Sequence, residues 1–455
     1  MKYISTRGLS EPLSFSEAVS EGLAPDGGLY VPEKFPDLSG EMAQWEGLSY
    51  AELCFRFMRH FTDDIPESDL RAIVEASYRH FDDPRIAPLK KLSEDLFILE
   101  LFHGPTLAFK DFALQFLGNL SQYLLAKSAK VSNVLGATSG DTGSAAINGL
   151  LGKKGVRIFI LYPDGRISPL QERQMACTGA ENVFPIAIDG TFDDAQAIVK
   201  EIFADVEFKS RWSLSAVNSI NLARIMAQCV YYIWAWLKIP AGERDGIEFI
   251  VPTGNFGNVL AGWFASKMGM NVAGFKVATN QNDILFRLFK TGVYETGVVN
   301  PSYAPSMDIQ VSSNFERFLY FLLGRDCAGV RGIMGQFKSS GKYVFDKFSA
   351  RGFSASKMDD AQIARTIADV YGKYGEIVDP HTACAFADLS HKGVKIILST
   401  ASPAKFPDLI EKTISIRPKA ESLERLMDKP IVNKKMPADV SAVRDYIQSN
   451  GIKQL

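Results

Sequence analysis

Lys110 is the residue best suited to covalent chemistry. It lies in the run HGPTLAFKD, His103 to Asp111, and apolar residues at helical spacing follow from Asp111 to Leu125. In water a lysine amine has a pKa of about 10.4 and is almost entirely protonated at neutral pH. Burial among Leu107, Phe109 and Phe112 would disfavour the ammonium and make imine formation with an aldehyde feasible. A lysine beside an aspartate is also a common solvated pair, so Lys110 and Asp111 alone leave that reading open. The turn Gly104-Pro105-Thr106 and the flanking aromatic residues favour a placed lysine over a solvated one, although a stem lying along apolar surface with its amine in water also fits.

Two glycine-rich turns could bind anions. Gly136 to Gly143 reads GATSGDTG, between a strand pattern and a helix pattern. N–H groups at a helix N-terminus have no intrahelical acceptor, hydroxyls add donors, and glycine lets a ligand approach the backbone. Pro252 to Asn258 reads PTGNFGN after another strand pattern, and its glycines and asparagines suit a phosphate nest. Each turn alone is equally readable as an ordinary capped turn. The GATSGDTG turn lacks the GKS or GKT ending of a nucleotide-binding loop, which argues against an NTPase.

A third candidate is Ala216 to Gln228, AVNSINLARIMAQ. Asn218 and Ser219 can donate to an oxyanion, and the planar fork of Arg224 suits phosphate. A helix starting near Ser219 would place Arg224 more than one turn in, so spacing does not show that the three converge. A capped helix with one solvated arginine is the alternative.

The elements that must position these residues change character along the chain. The first hundred residues are expected to be mostly helical, with helices over Tyr50–Phe61 and Leu70–His80. From Val131 short apolar runs alternate with amphipathic segments. Strands are expected at Val131–Ala137, Val156–Leu161, Val183–Ile188, Ile247–Val251, Gly274–Thr279 and Val394–Ser399. Helices are expected from Ser144 to Leu151, from Ser168-Pro169 to about Cys177, and after Thr191 with Asp193 and Asp194 in the first turn. This alternation predicts α/β layers with mainly parallel sheet, whose ligands bind at the carboxyl ends of strands. The expected division is 1–98 as a helical N-terminal region, 99–228 as a smaller α/β domain carrying the lysine segment, and 229–455 as a larger cofactor domain with a C-terminal extension.

Composition excludes several function classes. Of 455 residues 46% are apolar and 22% charged, and the net charge is -2, so no basic field invites nucleic acid or an anionic membrane. The apolar segment Ile225–Ile239 is too short to span a bilayer and reads as a buried helix, and the N-terminus lacks a signal-peptide core. Five scattered cysteines without CxxC, and five dispersed histidines without HExxH, predict neither a disulfide framework nor a metal site. A reduced, cytoplasmic enzyme is the expectation.

The segment HGPTLAFKDFALQF, with GATSGDTG, GNFGN, ATNQNDIL and PSMDI, resembles the threonine synthases, in the E. coli and yeast-like branch of that family. The resemblance runs from Tyr3 to about Phe406; the tail beyond Pro407 carries nothing diagnostic. It implies a fold-type II pyridoxal-phosphate enzyme with two open, mainly parallel α/β sheets, and Lys110 as the residue that carries pyridoxal 5'-phosphate and acts as catalytic base. By the same resemblance Thr138, Ser139 and Thr142 would hold the substrate carboxylate, and Asp141 would contact the ring hydroxyl of the cofactor. Gly254, Asn255, Phe256, Gly257 and Asn258 would hold the cofactor phosphate, and Thr400 in STASPAKF would face the ring nitrogen. Asn218, Ser219 and Arg224 would bind the substrate phosphate. Ser312 to Arg317, SSNFER, is expected to stand behind these contacts, and His381 in DPHTA to pack structurally. The family commonly has histidine where this chain has Ser402, so no role of that histidine carries over.

The implied reaction turns O-phospho-L-homoserine and water into L-threonine and phosphate. Two rivals stay open: a related phospho-lyase that gives a keto acid, and a non-catalytic protein that keeps the fold.

Overall fold

The computed structural model describes residues 1–138, 140–216 and 218–453. They form two compact units, each assembled from separate stretches of chain. The first comprises 1–74, 81–103 and 219–418; the second comprises 75–80, 104–218 and 419–455.

The second unit is built on a five-stranded sheet in the order Lys434–Pro437, Val183–Asp189, Val156–Pro163, Ser132–Ala137, Leu214–Ala216, parallel throughout. The expected strands fall within a residue or two of the observed ones. The central strand Val156–Pro163 is buried at almost every position, as a strand covered on both faces must be. Helix Phe192–Ala204 follows Thr191, whose hydroxyl accepts from Asp194 N–H while the Asp194 carboxylate accepts from Thr191 N–H. That reciprocal cap explains why the two aspartates open this helix. Its apolar face, with Ala195, Ile198 and Ile202, joins Leu135, Phe159, Leu161 and the C-terminal residues Val443 and Ile447 in one core.

Two helices of this unit carry the lysine and the acidic turn. They are Lys110–Ser128 and Asp141–Leu150, and they touch backbone to backbone. An added Cβ on Gly118 would fall on the carbonyl oxygen of Gly149, and one on Gly149 would fall on that of Leu114. Glycine at both crossing points is what brings the two helices this close. The Gln115 amide then donates across the same crossing to Asn148 Oδ1 at 2.7 Å.

The first unit has a six-stranded sheet in the order Phe353–Lys357, Gly274–Thr279, Glu248–Pro252, Lys395–Ser399, Leu96–Glu100, Leu89–Lys91. All pairs are parallel except the last. Its core includes Leu96, Ile98, Ile250, Ala278, Ile363, Ile367 and Ile397. The segment read as a buried helix is Leu222–Lys238, buried at every position but the terminal lysine. No helix among the described residues is long and apolar enough to cross a membrane.

Candidate active site

In the second unit the turn before Lys110 is fixed by Asp111, not by an ion pair with it. Asp111 accepts from Thr106 N–H at 2.8 Å and from Thr106 Oγ1 at 2.7 Å. Gly104 must be glycine, since a Cβ there would overlap Asp111. Leu107 takes a left-handed φ of 59° to complete the turn. Lys110 is therefore the first residue of its helix, with only 11% of its side chain exposed. Its Nζ lies 4.0 Å from Asp141 Oδ2, and Asp141 is the first residue of the neighbouring helix, with 3% of its side chain exposed. The solvated-pair alternative for Lys110 is excluded.

The turn between strand and helix organises around Thr138. Its Oγ1 accepts from the N–H groups of Gly140 at 3.0 Å and Gly143 at 2.9 Å. Gly140 has φ 147°, in the region that favours glycine. Thr142 is half-buried on the first helical turn. Ser139 lies outside the described residues. Two side chains that sequence reasoning missed complete this region. From helix Pro169–Ala176, Gln171 Nε2 donates to Asp141 Oδ1 at 2.9 Å and Gln174 Nε2 donates to Thr106 O at 3.1 Å. Their spacing of three residues on a helix of mixed polarity was the signal available: two amides on one helical face.

In the first unit the turn Gly254–Asn258 follows strand Glu248–Pro252, at the carboxyl end where ligands of parallel sheets bind. Helix Gly257–Lys267 begins inside it, with Phe256 in a left-handed conformation of φ 62°. Such a conformation is costly for a bulky residue. It is held by aromatic packing, the Phe256 ring lying 5.2 to 6.3 Å from those of Phe318, Phe315, Phe353 and Phe289. Asn258 Oδ1 accepts from Tyr231 at 2.6 Å and Tyr232 at 2.8 Å. Its Nδ2 is buried and has no hydrogen-bond partner among the described residues. A buried amide donor left without an acceptor beside a helix N-terminus fits an anion such as a phosphate. Gly254 sits 3.2 Å, measured from an added Cβ, from Met307 Cα, so the turn is closed from behind.

The SSNFER segment supplies that backing. Ser312 Oγ donates to Gly254 O at 2.6 Å, Ser313 Oγ donates to Asn255 Oδ1 at 3.2 Å, and Asn314 Nδ2 donates to Asn255 O at 3.2 Å. Ser313 also meets Ser219 hydroxyl to hydroxyl at 2.7 Å, so this unit joins the 254–258 turn to Ser219. Arg317 is fully buried and donates to Tyr30 O, Asn314 Oδ1 and Ile220 O. Burial pushes its guanidinium down to about 9. Helix Leu222–Lys238 starts three residues after Ser219, capped by Asn221, which puts Arg224 in the first turn instead of beyond it. Arg224 is buried, and desolvation pulls its guanidinium down to about 10, so it stays charged at neutral pH. Asn218 belongs to the second unit and Ser219 to the first.

Thr400 follows strand Lys395–Ser399 and is buried, its N–H donating to Thr382 Oγ1 at 3.3 Å. Thr382 and His381 are both held by Asp379, whose carboxylate takes His381 Nδ1–H at 2.6 Å, while His381 Nε2 accepts from Ser306 N–H at 3.1 Å. His381 thus has a structural role, tying the 379–382 turn to the loop behind Gly254. Ser402 accepts from Ala404 N–H at 3.3 Å and opens the short helix Pro403–Lys405, a local capping role.

His103, also in the first unit, lies between Asp82 at 2.7 Å and Glu100 at 2.8 Å. Burial works against its charge, but the hydrogen bonds to both carboxylates outweigh it and the imidazole pKa is raised. A raised folded value means that this stabilisation is full below the unfolded pKa of about 6.5 and is lost as pH rises through the folded value. Thermal melts across that window should show a decline with pH that is shallower in His103→Gln, with NMR titration of His103 locating the folded value.

Residues 83–331 match the model of the pyridoxal-phosphate dependent enzymes, and with two open, mainly parallel sheets the chain falls in fold type II of that class, with pyridoxal 5'-phosphate as cofactor. The flanking segments narrow this: residues 2–78 match the threonine synthase N terminus and residues 381–447 the threonine synthase C-terminal model, so the likeness does not stop near Phe406 as expected but continues through the tail beyond Pro407. The chain is 44% identical to the threonine synthase of Methylobacillus glycogenes over 98% of its length and 99% of that protein's, and 43% identical to that of Saccharomyces cerevisiae over 91% and 89%. A crystal structure of PLP-bound threonine synthase from Brucella melitensis superposes with TM-score 0.95 at 42% identity, covering 99% of both chains. The chain belongs to the threonine synthase family.

Proposed function

We propose that this protein converts O-phospho-L-homoserine and water to L-threonine and phosphate, using Lys110 as cofactor attachment point and catalytic base. The observation that carries the reading is the placement of Lys110: buried, first in its helix, with Asp141 4.0 Å from its amine.

The assignment of the remaining residues follows chemistry and family resemblance together. The 254–258 turn would hold the cofactor phosphate, with Asn258 Nδ2 as a ready donor. Asp141 would stand beside the ring hydroxyl, and the hydroxyl of Thr400 would face the ring nitrogen, a partner that does not require that nitrogen to be protonated. When bound, the cofactor supplies an electron sink for charge developing on the substrate. Lys110 would take the proton from Cα and return protons to neighbouring carbons, general acid–base work suited to an amine shielded from water. By the family resemblance Thr138, Ser139 and Thr142 would lie at the substrate carboxylate; the Thr138 hydroxyl is taken up inside the turn with Gly140 and Gly143, so Ser139 and Thr142 would make the direct contacts and Thr138 would hold the turn in shape. Arg224, Ser219 and Asn218 would hold the phosphate group, orienting the bond that breaks at Cγ and stabilising the charge that leaves with it. The five cysteines are free, which suits a reducing cytoplasm.

Incubating the holo-protein with O-phospho-L-homoserine and identifying the products separates the readings. Equimolar threonine and phosphate are expected. A keto acid with phosphate would instead establish the lyase alternative, and no turnover with a bound cofactor would remove the substrate assignment.

A further inference from the structure

The two oxygens of the Asp141 carboxylate face different neighbours. Oδ2 is 4.0 Å from Lys110 Nζ, and Oδ1 accepts from Gln171 Nε2 at 2.9 Å. Gln171 is 5% exposed, and its helix is fixed in turn by Gln174, whose amide reaches the carbonyl of Thr106 in the turn before Lys110. Gly140 leaves room for this arrangement, because a Cβ there would overlap the Gln171 amide. The terminal torsion of an aspartate is broad and twofold, so packing alone defines a carboxylate plane poorly. A hydrogen bond to a charged acceptor in a buried setting defines it well.

We propose that Gln171 is a positioning residue for Asp141. Its amide ties Oδ1 to helix Pro169–Ala176 and thereby turns Oδ2 toward the lysine amine and whatever that amine carries. The inference rests on the reading of Asp141 as the carboxylate beside the cofactor's ring hydroxyl. Gln171 touches neither substrate nor cofactor in this scheme. Removing its amide takes away the hydrogen bond that holds Oδ1 toward this helix, which alters the electronic surroundings of the bound chromophore without removing the attachment residue.

The test uses the holo-protein with Gln171→Met, Asp141→Asn and the double variant, reading the position and circular dichroism of the cofactor's visible band together with kcat and KM. Asp141→Asn is expected to move the band. Gln171→Met should move it in the same direction and lower kcat roughly tenfold with little change in KM, the loss expected of one hydrogen bond to a charged group. The double variant should go no further than Asp141→Asn alone, because both substitutions act on one contact. A band that moves in Asp141→Asn and stays in place in Gln171→Met overturns the positioning role. A band unmoved by Asp141→Asn removes the reading of Asp141, and this inference with it. Should Gln171→Met fail to fold, Gln171→Glu keeps the shape and sets an acceptor against Oδ1; an unchanged spectrum in that variant overturns the proposal equally.

Discussion

Replacing Lys110 with alanine is expected to abolish covalent cofactor attachment and to lower turnover by at least about a thousandfold, since it removes the amine proposed both to carry the cofactor and to act as general base. The fold should survive. Lys110 is the first residue of its helix, where alanine is well tolerated, and the turn ahead of it is held by Thr106 and Asp111, not by the lysine stem. What is lost is a buried amine facing Asp141, and Asp141 keeps its bond from Gln171. Absorbance of the purified variant, borohydride reduction and mass spectrometry of the tryptic peptide containing position 110 give the readout. Cofactor found reduced onto another lysine would mean that Lys110 is not the attachment point. Cofactor on position 110 of the parent protein but undiminished turnover in the variant would remove its role as base.

How far the sequence reached can be judged element by element. The parallel strands Val156–Pro163 and Gly274–Thr279 were legible because each is a short, mostly apolar run with β-branched and aromatic residues, bounded by turn residues. The helix after Thr191 was legible from its cap, which acts locally. Other strands were not: Leu214–Ala216 is three residues long, and Lys434–Pro437 is polar and exposed, so neither has an apolar pattern to read. The second of these pairs with Val183–Asp189, a partner some 250 residues earlier in the chain, and such pairing leaves no mark on local periodicity. For the site, residue types that do chemistry announced themselves through glycine spacing and the aromatic setting of Lys110. Gln171 and Gln174 did not, because a buried amide looks like any polar residue on a helix until its acceptor is known. The expected start of a helix near Ser219 missed by three residues for a similar reason. Asn218, Ser219 and Asn221 are all competent caps, and the structure uses Asn221, whose Nδ2 is also engaged by Val19 O at 2.9 Å.

Arg317 is the second position where a single substitution should have a large effect, here through structure. Its guanidinium is fully buried and distributes its donors over Tyr30 O at 2.9 Å, Asn314 Oδ1 at 2.7 Å and Ile220 O at 2.6 Å. Those three acceptors belong to an N-terminal strand, the segment behind Asn255, and the approach to helix Leu222–Lys238. Methionine fills a similar volume and relieves the cost of burying the charge, which the depressed pKa of Arg317 registers. It leaves two buried acceptors and one half-buried one without these donors, and each buried loss costs about 1–3 kcal/mol. The acceptors should win, with a net destabilisation of roughly 3–5 kcal/mol. Asn314 loses the donor on its Oδ1, one of the bonds that orient its side chain, and its amide is one of the groups holding Asn255. Cofactor affinity should therefore fall together with stability, by roughly tenfold in Kd. Arg317→Lys keeps the charge but cannot reach three divergent acceptors with one ammonium, and should fall between methionine and the parent. Urea unfolding of the apo-protein and cofactor titration monitored at the visible band measure the two effects separately. If Arg317→Met unfolds at the parent's urea midpoint, the three carbonyl-type acceptors are satisfied in some other way. If it is destabilised yet binds the cofactor as tightly as before, the contact chain from Arg317 through Asn314 to Asn255 does not bear on cofactor binding at the 254–258 turn.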